Sequence, residues 1–233
     1  MFRLAELHET GEAGSENKIA AVEWYQRAVQ ANQPRASCRL AFLYDTGEGV
    51  LQDRSEAAKL YRVCAESGDG RAMLRLAQLH EVGEGVPSDW DTALDWYRKA
   101  ADAGQSGAQC RLAALYETGQ GVNQDRSEAI KWYRACAESG NGSAMFQLAK
   151  IYGKADEADN DPKVAADYMF RALKADAQQA KDEMLAGAQN WSQAFRQEFQ
   201  RKLQAENLYS GAIDGILGSG TRQAIQAITG DNS

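Results

Sequence analysis

A period of roughly 36 residues constrains what this chain can fold into more than any other feature of its sequence. Residues 38–73 and 110–145 are identical at 27 of 36 positions, and the block between them follows the same pattern more loosely. A unit of two repeats has been duplicated. Leu4, Leu40, Leu76, Leu112 and Leu148 recur at this spacing, each followed by alanine. Three residues beyond that alanine stands His8, Tyr44, His80, Tyr116 or Tyr152. Leucine, alanine and a ring at i, i+1 and i+4 share one face of a helix, and the alanine admits a close helical neighbour.

The first helix ends at Gly47-Glu48-Gly49-Val50, Gly83-Glu84-Gly85-Val86 and Gly119-Gln120-Gly121-Val122, because glycine takes the left-handed conformation of a helix C-terminus without strain. Asp53, Asp89 and Asp125 then stand at N-cap positions, with Glu56 and Glu128 three residues on as in a capping box. The second helix carries Ala57, Ala93 and Ala129 and the pairs Trp24-Tyr25, Trp96-Tyr97 and Trp132-Tyr133, and closes at Gly68, Gly104 and Gly140.

This pattern resembles the Sel-1-like repeat family, a relative of the tetratricopeptide repeat, over units of about 1–33, 34–69, 70–105, 106–141 and 142–175. The resemblance implies an all-α protein, a right-handed α-α superhelix (solenoid) of five helix-turn-helix repeats. Its first helices would line a concave face that takes a protein partner, with no chemistry of its own. Departures fall at the edges: Ala13 replaces the second loop glycine of the first unit, and Ala155 and Glu157 replace both in the fifth. End repeats have only one neighbour and are expected to be atypical. Met1-Phe2-Arg3-Leu4 aligns with Met145-Phe146-Gln147-Leu148, mid-helix. The expectation is therefore a fragment of something longer, with any signal peptide, anchor or further domain upstream.

Beyond Ala175 the period fades. Residues 176–190 read as a capping helix and linker, and residues 191–233 as a small C-terminal helical bundle. Phe195, Phe199 and Leu203, four apart, give an amphipathic helix that ends near Asn207. The run from Gln200 and Leu203 through Leu208-Tyr209-Ser210-Gly211-Ala212-Ile213-Asp214-Gly215-Ile216-Leu217-Gly218-Ser219-Gly220-Thr221 to Ala224-Ile225 is similar to the peptidoglycan-binding-domain family. Asn207 and Leu217 depart from its usual glycine and phenylalanine. The resemblance implies a peptidoglycan contact through Tyr209, taken as an exposed aromatic, with Asp214, Gly215 and Thr221. The other reading makes the loop residues a turn and an N-cap for the last helix.

Cys38 and Cys64, and likewise Cys110 and Cys136, join a first-helix to a second-helix position 26 residues on. Antiparallel helices bring such positions together, so two disulfides and an oxidising compartment are one reading. Small buried hydrophobes copied by one duplication are the other. No metal site is expected, for lack of Cys-x-x-Cys spacing and a nearby histidine. No catalytic set or cofactor motif stands out, and the acidic residues are assigned to solvated faces or caps. With 33 acidic against 26 basic residues the net charge is −7, and no Lys/Arg run suits nucleic acid. No apolar stretch approaches the ~20 residues of a transmembrane helix.

The favoured expectation is a non-enzymatic interaction scaffold of the bacterial cell envelope or periplasm, holding a protein on its concave face and peptidoglycan at its C-terminus. The alternative is a cytoplasmic adaptor or the accessory C-terminal region of a larger enzyme, for example a caspase-like one.

Overall fold

The computed structural model describes residues 1–12, 14–153, 160–186, 188 and 190–230, so Ala13, Ala155 and Glu157 lie outside the described residues. Among the described residues there are thirteen α-helices and no strand. The chain divides into two compact units, Met1–Asp125 and Arg126–Ser233. In the first, α1 (Phe2–Thr10) pairs with α2 (Lys18–Gln30), α3 (Pro34–Thr46) with α4 (Arg54–Glu66) and α5 (Gly70–Val82) with α6 (Trp90–Asp102), and α7 (Ser106–Thr118) follows. The second holds α8 (Arg126–Glu138), α9 (Gly142–Gly153), α10 (Pro162–Lys174), α11 (Gln178–Leu185), α12 (Gln193–Ala205) and α13 (Ser219–Thr229). This is the all-α repeat solenoid with added C-terminal helices that the period implies.

Close packing follows from the register. Ala5, Ala41, Ala77, Ala113 and Ala149 are all fully buried, and so, to within 3% exposure, are Leu40, Leu76, Leu112 and Leu148. Leu4 differs at 43% exposed. The paired glycines do different work. Gly47, Gly83 and Gly119 end their helices at φ of +77°, +81° and +74°. The second glycine also lets the loop lie on the preceding repeat: a Cβ at Gly49 would come 2.6 Å from the Lys18 backbone at the start of α2, and one at Gly85 would overlap Arg54 at the start of α4.

Asp53 and Asp89 cap α4 and α6 as expected, each accepting from two backbone amides. The capping box is not completed. Glu56 is held by Lys59, and Glu128 by Lys131 and the Trp132 indole N–H. The N-cap amide that such a glutamate would serve already donates to the helix before it: Asp53 to the Tyr44 carbonyl, Asp89 to His80 and Asp125 to Tyr116, each at 2.9 Å. The same bond closes the loop in the other repeats, from Asn17 to His8 and from Asp161 to Tyr152.

In the second unit the short helix after the repeats keeps their register. Ala36, Ala72, Ala108, Ala144 and Ala180 recur at the repeat spacing and are buried to within 3% exposure, and Met184 sits where Leu148 does, also fully buried. Thus α11 continues the register of the repeats' first helices beyond the fifth repeat. Next, α12 packs along α10, with Phe195, Phe199 and Leu203 fully buried. Lys202 of α12 reaches Asp167 at 3.0 Å and lies over the Phe170 ring at 5.1 Å. Asn207 adopts φ +59° just beyond α12, the left-handed turn expected there.

Candidate functional site

In the first unit α1, α3 and α5 line a cleft of about 790 Å³. Its apolar surface comes from Phe2, Phe42, Leu74 and the Cys38 sulfur. Around these stand Arg35 and Arg39 on α3 and Arg71 and Arg75 on α5, each pair four residues apart and so on one helix face. Arg39 lies over the Phe42 ring at 4.8 Å and Arg35 over Phe2 at 6.0 Å, distances at which a guanidinium is attracted by the ring face. Cys38 is disulfide-bonded to Cys64 of α4, Cα–Cα 5.1 Å, which ties the wall of the cleft to the helix behind it. Cys110 and Cys136 are disulfide-bonded too, and none of the four is free.

Beneath the cleft, successive repeats are joined by buried acids. Glu9, 9% exposed, accepts the Tyr25 hydroxyl at 2.7 Å and the Arg39 Nε at 2.7 Å. Asp45, 6% exposed, accepts Tyr61 at 3.3 Å and the Arg75 Nη2 at 2.8 Å, with Arg54 at 3.6 Å. Glu81 accepts Tyr97 and Arg111. In each set the acid and tyrosine belong to one repeat and the arginine to the next, so every set is a clamp across a junction. Burial pushes the Asp45 carboxyl up, but the Arg75 guanidinium, with Tyr61 and Arg54, holds it below the usual carboxylate range. Burial first, then the facing carboxylate, pushes the Tyr25 and Tyr97 hydroxyls well above their ordinary value. Assigning the acidic residues to solvated faces was therefore wrong for Glu9 and Asp45. A recurrence was available to find them: acid at 9, 45, 81 and 117, tyrosine at 25, 61, 97 and 133, arginine at 39, 75 and 111.

A second line of contacts uses the aromatic of the first helix. Tyr44 accepts from Gln26, Tyr116 from Arg98 and Tyr152 from Arg134. His80 holds that position in the third repeat, 7% exposed, and neither ring nitrogen has a well-formed hydrogen bond.

The family model for the Sel1 repeat matches residues 1–33, 34–69, 70–105, 106–141 and 142–176. The chain belongs to the Sel1 repeat family. Among solved structures, a Sel1 repeat protein from Oxalobacter formigenes is 28% identical, with a TM-score of 0.69, over 88% of this chain and 85% of that one. The protective antigen c5321 of uropathogenic Escherichia coli, with an SLR fold, is 23% identical at a TM-score of 0.72. That match covers 98% of this chain but only 52% of the antigen, so the chain spans about half of it. No curated protein matches. Sel1 repeats generally mediate protein–protein interactions.

Outside the Sel1 repeats, the C-terminal loop is organised by Gln200, which is fully buried. Its amide donates to the Asp214 carboxylate and the Ile216 carbonyl, both at 3.0 Å, and accepts from the Gly215 N–H at 2.8 Å. Asp214 also accepts from the Ile216 N–H at 2.8 Å. Its carboxyl is held below the usual range by Gln200 first and by that amide second. The Tyr209 hydroxyl donates to the Ala212 carbonyl at 2.9 Å, and the ring lies so close over Gly211 that a Cβ there would overlap it. Tyr209 is thus half-buried, not the exposed aromatic expected. Thr221 does not cap: the N-cap of α13 is Gly218, and Thr221 is buried at 1% exposed within the first turn. Asp214 and Gly215 do form the expected turn. The sulfurs of Cys38 and Cys64 lie within 4.8 Å of the Asp69 carboxylate, yet they are bonded to each other and Asp69 caps α5 through the Ala72 N–H. That set is not arranged as a metal site.

Proposed function

We propose that this chain is a non-enzymatic scaffold of an oxidising compartment, the bacterial periplasm or cell envelope, that holds a partner protein in the first-helix cleft of residues 1–125. The cleft carries the reading: Arg35 and Arg71 are exposed and form no ion pair among the described residues, and they stand beside the part-exposed rings of Phe2 and Phe42. The compartment rests on the disulfides, which persist where thiols are not kept reduced. Among the described residues no helix is long and apolar enough to cross a membrane.

A photo-crosslinking residue placed at Phe42 in cells of the native host tests the surface. Adducts are expected there and not at Lys59, an exposed residue of α4. Adducts at Lys59 alone would move the partner to the second helices and defeat the proposal. Thiol titration of the denatured, unreduced protein from the same cells tests the compartment. Four blocked cysteines are expected, and four free thiols would favour the cytoplasmic adaptor or enzyme-accessory alternative.

A second reading, contact with peptidoglycan by the C-terminal loop, draws on Ile216, which is 69% exposed beside Asp214 at the tip of the turn. Full-length protein would then co-sediment with isolated sacculi, and Ile216→Asp would reduce the sedimented fraction. No sedimentation by the unaltered chain leaves these helices as an end cap.

A further inference from the structure

We infer that the cleft of the first unit receives an acidic, extended peptide segment of its partner, an inference that rests on the protein-binding reading above. The chain as a whole is acidic, at −7, yet this cleft gathers Arg35, Arg39, Arg71 and Arg75. The acids around them are engaged. Glu9 and Asp45 lie buried under Arg39 and Arg75, Glu6 is paired with Arg3 at 3.3 Å, and Asp69 caps α5. Arg35 and Arg71 are exposed and meet no carboxylate among the described residues. Their presence is not a demand of the fold, because the register positions that hold Arg35 and Arg71 hold Gly107, Ser143 and Gln179 in later units. The clamp arginines likewise end: the position of Arg39, Arg75 and Arg111 becomes Gln147 and then Glu183. The four arginines of the cleft therefore come from the second and third repeats and are set beside Phe2, Phe42 and Leu74.

Such a surface suits a segment that alternates carboxylates with apolar side chains. Arg39 and Arg75 are half-exposed, at 43% and 32% of their side chains, and each uses one edge of its fork on a buried acid. The outer edge of Arg39 is held in place and can donate to a second carboxylate, that of Arg75 donates to the Gln78 side chain at 3.2 Å and would exchange it, and Arg35 and Arg71 offer the whole fork. Pre-ordering by Glu9 and Asp45 lowers the side-chain entropy lost on binding.

Selection of a random dodecapeptide display library on the immobilised full-length chain tests the inference. Enriched peptides are expected to carry net negative charge with interspersed apolar residues. Their binding, read by fluorescence anisotropy, should weaken about tenfold or more in Arg35→Glu/Arg71→Glu, recover in Arg35→Lys/Arg71→Lys, and fall with added salt. Circular dichroism should show both variants folded, since neither arginine holds an ion pair among the described residues. Enriched peptides that are neutral or basic but still lost on Phe42→Ala would overturn the acidic chemistry and leave the cleft as the protein-binding surface. No enrichment, or peptides indifferent to all of these substitutions, would overturn both. A labelled single-stranded oligonucleotide that binds more tightly than the peptides and is lost in the charge-reversed variant would reassign the cleft to nucleic acid.

Discussion

The junctions of the first unit and the end of the second solve one packing problem with opposite chemistry. Between repeats of the first unit the three register positions are an acid, a tyrosine and an arginine, as in Asp45, Tyr61 and Arg75. After the fifth repeat the same positions are Gly153, Met169 and Glu183. Trp191 enters the space, with its ring so close over Gly153 that any Cβ would overlap it and its indole N–H donating to Glu183 at 3.1 Å. Trp191 is 7% exposed and Met169 fully buried, and the Phe195 ring lies beyond, tilted by 32° at 4.1 Å from Trp191. The arginine gives way first, at Gln147, and the acid and tyrosine follow one repeat later, at Gly153 and Met169. Buried ion pairs exchanged for well-packed apolar groups are commonly neutral or stabilising, while broken ones are not. A polar junction thus passes to a further repeat, and an aromatic one ends the series.

Removing the tryptophan breaks the comparison most severely. Trp191→Ala strips the ring from Gly153 and Phe195 and is expected to lower stability by about 3–5 kcal/mol, the range for large aromatic truncations in a core. Urea unfolding followed by circular dichroism measures it. A loss under 1 kcal/mol would mean that α12 and α13 are not an integral end of the repeats.

Arg75→Ala tests the other side. It leaves Asp45 buried, with Tyr61 and Arg54 as remaining partners, and a loss of about 2–4 kcal/mol is expected at neutral pH, discounted from the fully buried case because Arg75 is one-third exposed. The sign with pH is set by Asp45. In the unaltered chain its carboxyl is depressed, so its contribution is present above the unfolded value and lost as pH falls through the folded one. Without Arg75, burial dominates and raises the carboxyl, so protonation relieves the variant. The gap between the two proteins should shrink from pH 7 to pH 4. A gap that stays constant would show that Arg75 acts by packing alone.

Much of this architecture can be read directly from the residues. Leucine–alanine register, paired loop glycines and aspartate caps place the repeat helices, because helix periodicity and backbone conformation are local properties. Glu9 and Asp45 were harder to read, since a lone acid on a helix looks solvated until its arginine, 30 residues on, is brought over it by stacking. Glu56 misled for a similar reason: the amide it should have capped is consumed by the Tyr44 carbonyl. Trp191 looked like the start of a separate module because nothing local ties it to Gly153. Tyr209 looked exposed because its cover, Gly211 and the Ala212 carbonyl, depends on a turn held by Gln200.

His80 gives the smallest effect and the finest test of the polar junction. It stands where Tyr44, Tyr116 and Tyr152 accept from the second helix of the repeat before, and burial first, then the nearby Arg62 charge, depresses its imidazole, with the Pro87 backbone and Asp89 as partial offsets. His80→Tyr should restore a hydroxyl acceptor facing Arg62, as Tyr116 faces Arg98, and add about 1 kcal/mol at pH 7. The depressed imidazole sets the pH dependence. As pH drops below about 6.5 the unfolded chain takes up the proton before the folded chain does, so the unaltered protein loses stability that the variant keeps. The advantage of His80→Tyr should therefore widen between pH 7 and pH 5, measured by urea midpoints at each pH. A variant less stable at pH 7 would mean that the third repeat has closed around the smaller ring, and a gap that fails to widen would show that His80 is not held neutral by its burial.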